Sequence, residues 1–166
     1  MKKLVLWLSA LALLGLVALL MVPQYTGPPS DDEMIRNLEA HRAVFDRLLT
    51  MIREDKGLER VDNDWTRPDD PSTIGVSQKR IAEYRRLFAE ANIPRGFYSF
   101  NDATTVLFVA YAEGLSVSGS SKNYLYTTER QPEGLVDEPL DGHHIDNKAF
   151  VRRRIGENWF LQYDSS

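Results

Sequence analysis

Hydrophobic and polar positions divide the chain into three stretches of different periodicity. The first has no period at all: Leu4 to Val22 runs 19 residues with Ser9 as the only polar side chain. At about 1.5 Å per helical residue such a run reaches roughly 28 Å, close to the hydrocarbon thickness of a bilayer. Residues 1–22 are therefore expected to be a signal anchor and transmembrane helix. The run exceeds the apolar core of a cleaved signal peptide, and Leu20 to Tyr25 hold no Ala-x-Ala pattern, so retention is expected. Lys2 and Lys3 precede the run, and the next charges are Asp31, Asp32 and Glu33. That bias holds the N-terminus in the cytoplasm and places the rest of the chain in the periplasm, against an inner membrane crossed once. Residues 23–30, PQYTGPPS, read as a Pro-rich linker that cannot continue a helix.

The second stretch follows a helical period. Met34, Leu38, His41, Phe45, Leu48 and Ile52 recur at steps of three and four, which predicts one amphipathic helix from about Asp31 to Lys56. Ser30 and Glu33 form a capping-box pair at its start, and Gly57 is a natural stop. Leu58 to Val76 is irregular, with Trp65 expected to anchor the loop. A second helix is predicted from Ser77 to about Asn92, capped by Ser77 and buried along Ile81, Tyr84, Phe88 and Ala91. Pro94 closes it.

From Gly96 the period becomes two. Strands are expected at Phe97–Phe100, Thr104–Glu113, Leu115–Gly119 and Tyr124–Thr128, then a closing hairpin of Ala149–Ile155 and Trp159–Tyr163. Within TTVLFVAYAE, Val106, Phe108, Ala110 and Ala112 point one way, and Leu107, Val109 and Tyr111 the other. Apolar residues on both faces mark a central strand. Trp159 is expected in the core beside Leu161 and Tyr163. Helices first and strands afterwards predict an α+β domain over residues 31–166. It has two N-terminal helices packed on an antiparallel sheet of about five strands, preceded by the transmembrane helix.

Charge narrows the partners. Beyond residue 30 the chain carries 18 Lys+Arg against 24 Asp+Glu, a net charge near −6. That disfavours nucleic acid, so the expected partners are the membrane, through residues 4–22, and another protein. The chain has no cysteine, which removes disulfides, thiol catalysis and lipidation at a cysteine together.

Three segments hold candidate chemistry. Consecutive amides in the Gly/Ser turn of residues 116–122 can bind an anion, so Ser118, Ser120 and Lys122 are candidate ligand or partner contacts. A nucleophile is not indicated: Gly119, not serine, stands three residues before Lys122, and no G-x-S-x-G is present. The acidic loop Asp137 to Asp146 holds His143 and His144, which are candidate contacts sensitive to protonation. Adjacent histidines do not usually face one ion, and no H-E-x-x-H or EF-hand spacing occurs, so no metal and no cofactor is expected. Arg152 and Arg154 share one face of a strand, opposite Arg153, and form a candidate docking patch for an acidic partner.

GLSVSGSSKNYLY, PEGLVD and RRRIGENWFLQY resemble small bacterial signal-anchored envelope proteins with no assigned activity. A similar Gly-Leu-x-x-Ser-Gly-Ser-x-Lys strand and Asn-Trp-Phe/Tyr-Leu hairpin recur in those, over roughly residues 32–163. The resemblance implies localisation and a single domain, and no functional residue.

The expected function is non-catalytic: binding another protein at the outer face of the inner membrane. A toxin-neutralising immunity protein or a subunit of an envelope assembly would fit. The alternative is an envelope hydrolase or small-ligand-binding enzyme using the Ser118–Lys122 turn with His143 or His144.

Overall fold

A computed structural model describes residues 27–100, 103–115, 118–141 and 150–165. Among these residues the chain forms α1 (Asp31–Ala40), α2 (Arg42–Glu54) and α3 (Gln78–Glu90), a 3-10 turn at Pro71–Ile74, and eight strands. The strands are β1 (Arg60–Val61), β2 (Thr66–Arg67), β3 (Phe97–Phe100), β4 (Thr105–Leu115), β5 (Ser118–Thr127), β6 (Leu135–Val136), β7 (Phe150–Arg154) and β8 (Trp159–Ser165). They make one sheet in the order β2-β1-β3-β4-β5-β8-β7-β6.

The sheet corrects the expected five-stranded antiparallel arrangement. It has eight strands, and it is mixed because β6 pairs parallel to β7, with Leu135 opposite Arg152. The three added strands, β1, β2 and β6, are two residues long each, too short to leave a period-two signal. The expected strand at Leu115–Gly119 is also absent as a unit. β4 continues through Glu113 and Gly114 to Leu115 and pairs along its length with β5, Gly114 lying opposite Gly119. The transmembrane helix expected ahead of the domain is not part of this architecture. No helix among the described residues is long and apolar enough to cross a membrane, and residues 4–22 lie outside the described residues.

The single helix expected over residues 31–56 is two helices, broken at His41. There the backbone leaves helical geometry (φ −113°, ψ 23°), and the His41 ring Nδ1 lies 3.0 Å from the Asn37 carbonyl oxygen. The His41 amide donates to the same oxygen. The predicted capping box at the start of α1 is present: Glu33 Oε2 accepts from the Ser30 amide, and Ser30 Oγ accepts from the Glu33 amide. Ser77 caps α3 by accepting from the Arg80 amide.

All three helices bury their apolar stripes against one face of the sheet. Phe45 of α2 sits at the centre, with ring centroids 5.3 Å from Phe108, 5.1 Å from Tyr124 and 5.5 Å from Trp159. Trp159 is 2 % exposed, as its alternation with Leu161 predicts. Burial pushes the Tyr124 phenol up to about 12, although the Asn37 amide that hydrogen-bonds it pulls the other way. A register shift between Val109 and Tyr111 resets the alternation of β4, so Tyr111 pairs with Lys122 rather than continuing the face of Val109. Ala112 consequently faces away from the helices, and Tyr111 toward them, the reverse of the simple period.

Candidate functional site

β5 carries two sets of polar side chains on opposite faces, and they behave differently. On the helix-covered face Lys122 is 1 % exposed. Its ammonium donates to Asp141 Oδ1 and to the Pro29 carbonyl, each at 2.8 Å, and forms an ion pair with Asp31 Oδ1 at 2.7 Å. Asp31, also 1 % exposed, takes Arg153 Nη1 at 2.8 Å and the Leu140 amide at 2.9 Å on its other oxygen. The Asp31 amide itself donates to Asp141 at 2.8 Å. Burial alone would raise the Asp31 carboxyl, but Lys122, the Leu140 amide and Arg153 outweigh it and hold the carboxyl below its ordinary range. This cluster joins the N-terminus of α1, β5, β7 and the segment that follows β6, through Leu140 and Asp141. Its chemistry is cohesive: every charge in it faces an opposite charge.

The other sequence candidates are scattered. Ser118 is placed by its backbone, opposite Leu115 at the start of β5, and Ser120 pairs with Glu113 and Ser165. His143 and His144 lie outside the described residues. Arg152 and Arg154 lie on the face opposite Arg153, as alternation predicts, but both are committed to their own chain. Arg152 Nε donates to Gln162 Oε1 at 2.7 Å and Nη1 to the Glu133 carbonyl at 3.1 Å. Burial is the largest influence on this guanidinium and draws its pKa down, against Asp164, Glu129 and Glu133. Arg154 donates to the carbonyls of Glu157 and Arg130 and lies over the Phe160 ring. Among the described residues, then, no hydrogen bond or ion pair joins one of these candidates to another.

A cavity of about 410 Å³ does occupy the face of the sheet away from the helices. No helix residue lines it. At one end stands Arg60 of β1, its guanidinium carbon 3.4 Å from the Tyr98 ring centre and 4.4 Å from that of Trp65. The guanidinium is thus sandwiched between two aromatic faces, an arrangement that fixes its plane. Asp62 takes Nη2, while Nε and Nη1 are enclosed without a hydrogen-bond partner among the described residues. Beside it Arg95 is exposed and makes no ion pair among the described residues.

Gly96 sets this end. Its φ of +66° and a β-carbon that would fall 1.8 Å from the Val61 carbonyl oxygen leave room for glycine alone, and β1 is thereby held against β3. At the other end of the cavity is a polar ladder. Asn123 Nδ2 donates to Ser121 Oγ at 2.8 Å and to Asp164 Oδ2 at 2.9 Å, and Gln162 Nε2 donates to Asp164 Oδ1 at 2.9 Å. Asn123 is 3 % exposed, and its Oδ1 has no hydrogen-bond partner among the described residues. Leu107 and Val109 form the apolar floor between the ends.

Buried polar atoms are nearly always paired, and an unpaired one costs about 1–3 kcal/mol. Of four such side-chain atoms among the described residues, Arg60 Nε and Nη1 and Asn123 Oδ1 belong to residues that line this cavity, and the fourth, Asp31 Oδ1, lies in the ionic cluster across the sheet, 2.7 Å from the Lys122 ammonium. Sequence reasoning missed the cavity because Arg60, Asp62 and Trp65 fall in a stretch that reads as irregular. The available signal was the polar alternation of Ser121 and Asn123 in β5 with Gln162 and Asp164 in β8. No three histidine or carboxylate side chains among the described residues are grouped as metal ligands would be. The cavity instead offers the exposed Arg95, an apolar floor and aromatic surface. Comparison with protein-family models, curated proteins and solved structures finds no match to this chain.

Proposed function

We propose that this chain is a non-catalytic binding domain that docks another protein on the open face of its sheet. Residues 4–22, with Lys2 and Lys3 ahead of them, would deliver it to the outer face of a bacterial inner membrane. The observation that carries the reading is the cavity with Arg60 held between Trp65 and Tyr98 and with the exposed Arg95 and Trp65 on its wall. Trp65 and Phe100 are 41 % and 46 % exposed at this side of the molecule, and aromatic and arginine side chains dominate the energetics of protein interfaces. A hydrolytic role for the Ser118–Lys122 segment draws no support from Lys122, whose ammonium is engaged by Asp31, Asp141 and Pro29.

The test is positional. A photoreactive amino acid is placed in the full-length chain, in its native cells, at Phe100 beside Tyr98 or at the exposed Arg86 on α3. The reading expects one discrete adduct from Phe100, lost in the Arg95→Glu background, and none from Arg86. Adducts that form equally from Arg86, or only from there, would contradict it.

A further inference from the structure

Another cavity, a groove of about 770 Å³, lies across the sheet from the docking face, between α1, α3 and β4. Met34, Phe88, Ile93 and Tyr124 form its buried floor. Ala89, Asn92 and Pro94 stand exposed along its rim. One wall is the start of the described chain, since Gly27, Pro28 and Pro29 line it. We infer that this groove is the seat of Tyr25, so that residues 23–26 strap the chain ahead of the domain onto the domain itself. The inference stands apart from the docking reading, because the groove and the open face are on opposite sides of the sheet.

Three contacts fix the point at which the chain leaves the domain. The Pro29 carbonyl accepts from the Lys122 ammonium, the Ser30 amide donates to Glu33 Oε2 and the Asp31 amide donates to Asp141 Oδ1, each at 2.8 Å. Gly27 and Pro28 therefore run along the groove from a pinned position. Tyr25 is two residues ahead of Gly27, so its backbone lies within roughly 7 Å of the groove wall. Among Pro23, Gln24, Tyr25 and Thr26 it alone has a large apolar body. A tyrosine brings about 150–250 Å² of surface to bury and a hydroxyl that needs a polar partner. The groove supplies both. Met34, Phe88 and Ile93 meet the ring, the Met34 thioether being a favourable neighbour for an aromatic. Asn92 at the rim donates to Asn37 Oδ1, and its own Oδ1 accepts no hydrogen bond among the described residues. Seating Tyr25 holds the domain within roughly 10 Å of Val22, whereas a free Pro23–Ser30 segment would span about 25 Å.

The test uses the full-length chain with p-benzoylphenylalanine in place of Tyr25, a probe that abstracts hydrogen readily from methionine. Irradiation should give a link within the same chain to the peptides that carry Met34 or Phe88, with heavy and light chains mixed to separate links between chains. Ala89→Arg puts a charged side chain across the rim at an exposed position, and Pro94→Arg does so at a second one. Either change should abolish the link in a chain whose circular-dichroism spectrum is unchanged. Chymotrypsin supplies a second readout on the chain with Tyr25 intact. A seated tyrosine is cut only when the strap opens, so cleavage after Tyr25 should be about tenfold or more faster in the rim variants than in the native chain. No link to the Met34 or Phe88 peptides, or equal cleavage rates in native and variant chains, would overturn the inference. A link to a second copy, or to another protein, would assign the groove to that occupant and overturn it as well.

Discussion

Two buried cations, Lys122 and Arg60, stand on opposite faces of one sheet and end differently. Lys122 meets two carboxylates and a carbonyl, and its carboxylate partner Asp31 is in turn held by Arg153 and the Leu140 amide. Arg60 has one carboxylate, two aromatic faces and unpartnered N–H groups. Desolvating a charge costs several kcal/mol, and a closed network offsets that cost within the fold. An open one offsets it only in part. The contrast assigns cohesion to the helix-covered face, and the docking proposal places recognition on the open face. It also separates two kinds of polar residue that look alike along the chain, since Lys122 and Asn123 are neighbours on β5 and point opposite ways.

The largest effect on the cohesive side belongs to its aromatic core. Trp159 is packed against Phe45, Phe108 and Tyr126. Trp159→Ala should cost about 3–5 kcal/mol, read as a fall in the urea midpoint of the full-length chain. An unchanged midpoint would move the hairpin from core to surface and undo the two-face account.

The ionic cluster should follow closely. Lys122→Met leaves Asp31 and Asp141 without their shared cation, and removing one member of a buried pair costs about 3–5 kcal/mol. The same cluster fixes a pH dependence. The folded Asp31 carboxyl lies below its ordinary value of 3.8, so its contribution is fully present above that value. It is lost as the pH falls through the lower, folded pKa. Melting temperatures should therefore drop below about pH 4 more steeply in the native chain than in Asp31→Asn, which lacks the titrating group. Parallel acid profiles for the two would remove Asp31 from the explanation.

Much of the cohesive face was legible along the chain. The stripe Met34, Leu38, Phe45, Leu48 and Ile52 identified the buried side of α1 and α2. Ser30 with Glu33, and Ser77, marked the helix starts, and Trp159 with Leu161 identified the inner face of β8. His41 fits the same stripe, so periodicity could not reveal the break its ring and backbone make at Asn37. The register shift at Ala110 was hidden for a similar reason, since an inserted residue reads as continued alternation when both faces are apolar. The open face was less legible. Arg60 and Asp62 lie on or beside a two-residue strand, too short for a pattern, and only Gly96 and long-range pairing bring them to Tyr98. Lys122 looked available beside Gly119 and Ser120. Its partners Asp31 and Asp141 are remote in sequence, and nothing local announces them.

The smallest expected effect is the most direct test of the contrast, because it concerns the residue next to Lys122. Asn123 has an unpaired buried Oδ1, so replacing it with a leucine of similar size removes a desolvation penalty along with two hydrogen bonds. Asp164 keeps its donors from Gln162 and Ser121. Urea melts of full-length Asn123→Leu and Lys122→Met should be run side by side. The account predicts that Asn123→Leu stays within about 1 kcal/mol of the native chain while Lys122→Met falls by about 3–5. A loss in Asn123→Leu as large as that in Lys122→Met would contradict it, because the open face would then hold the fold together as the ionic cluster does.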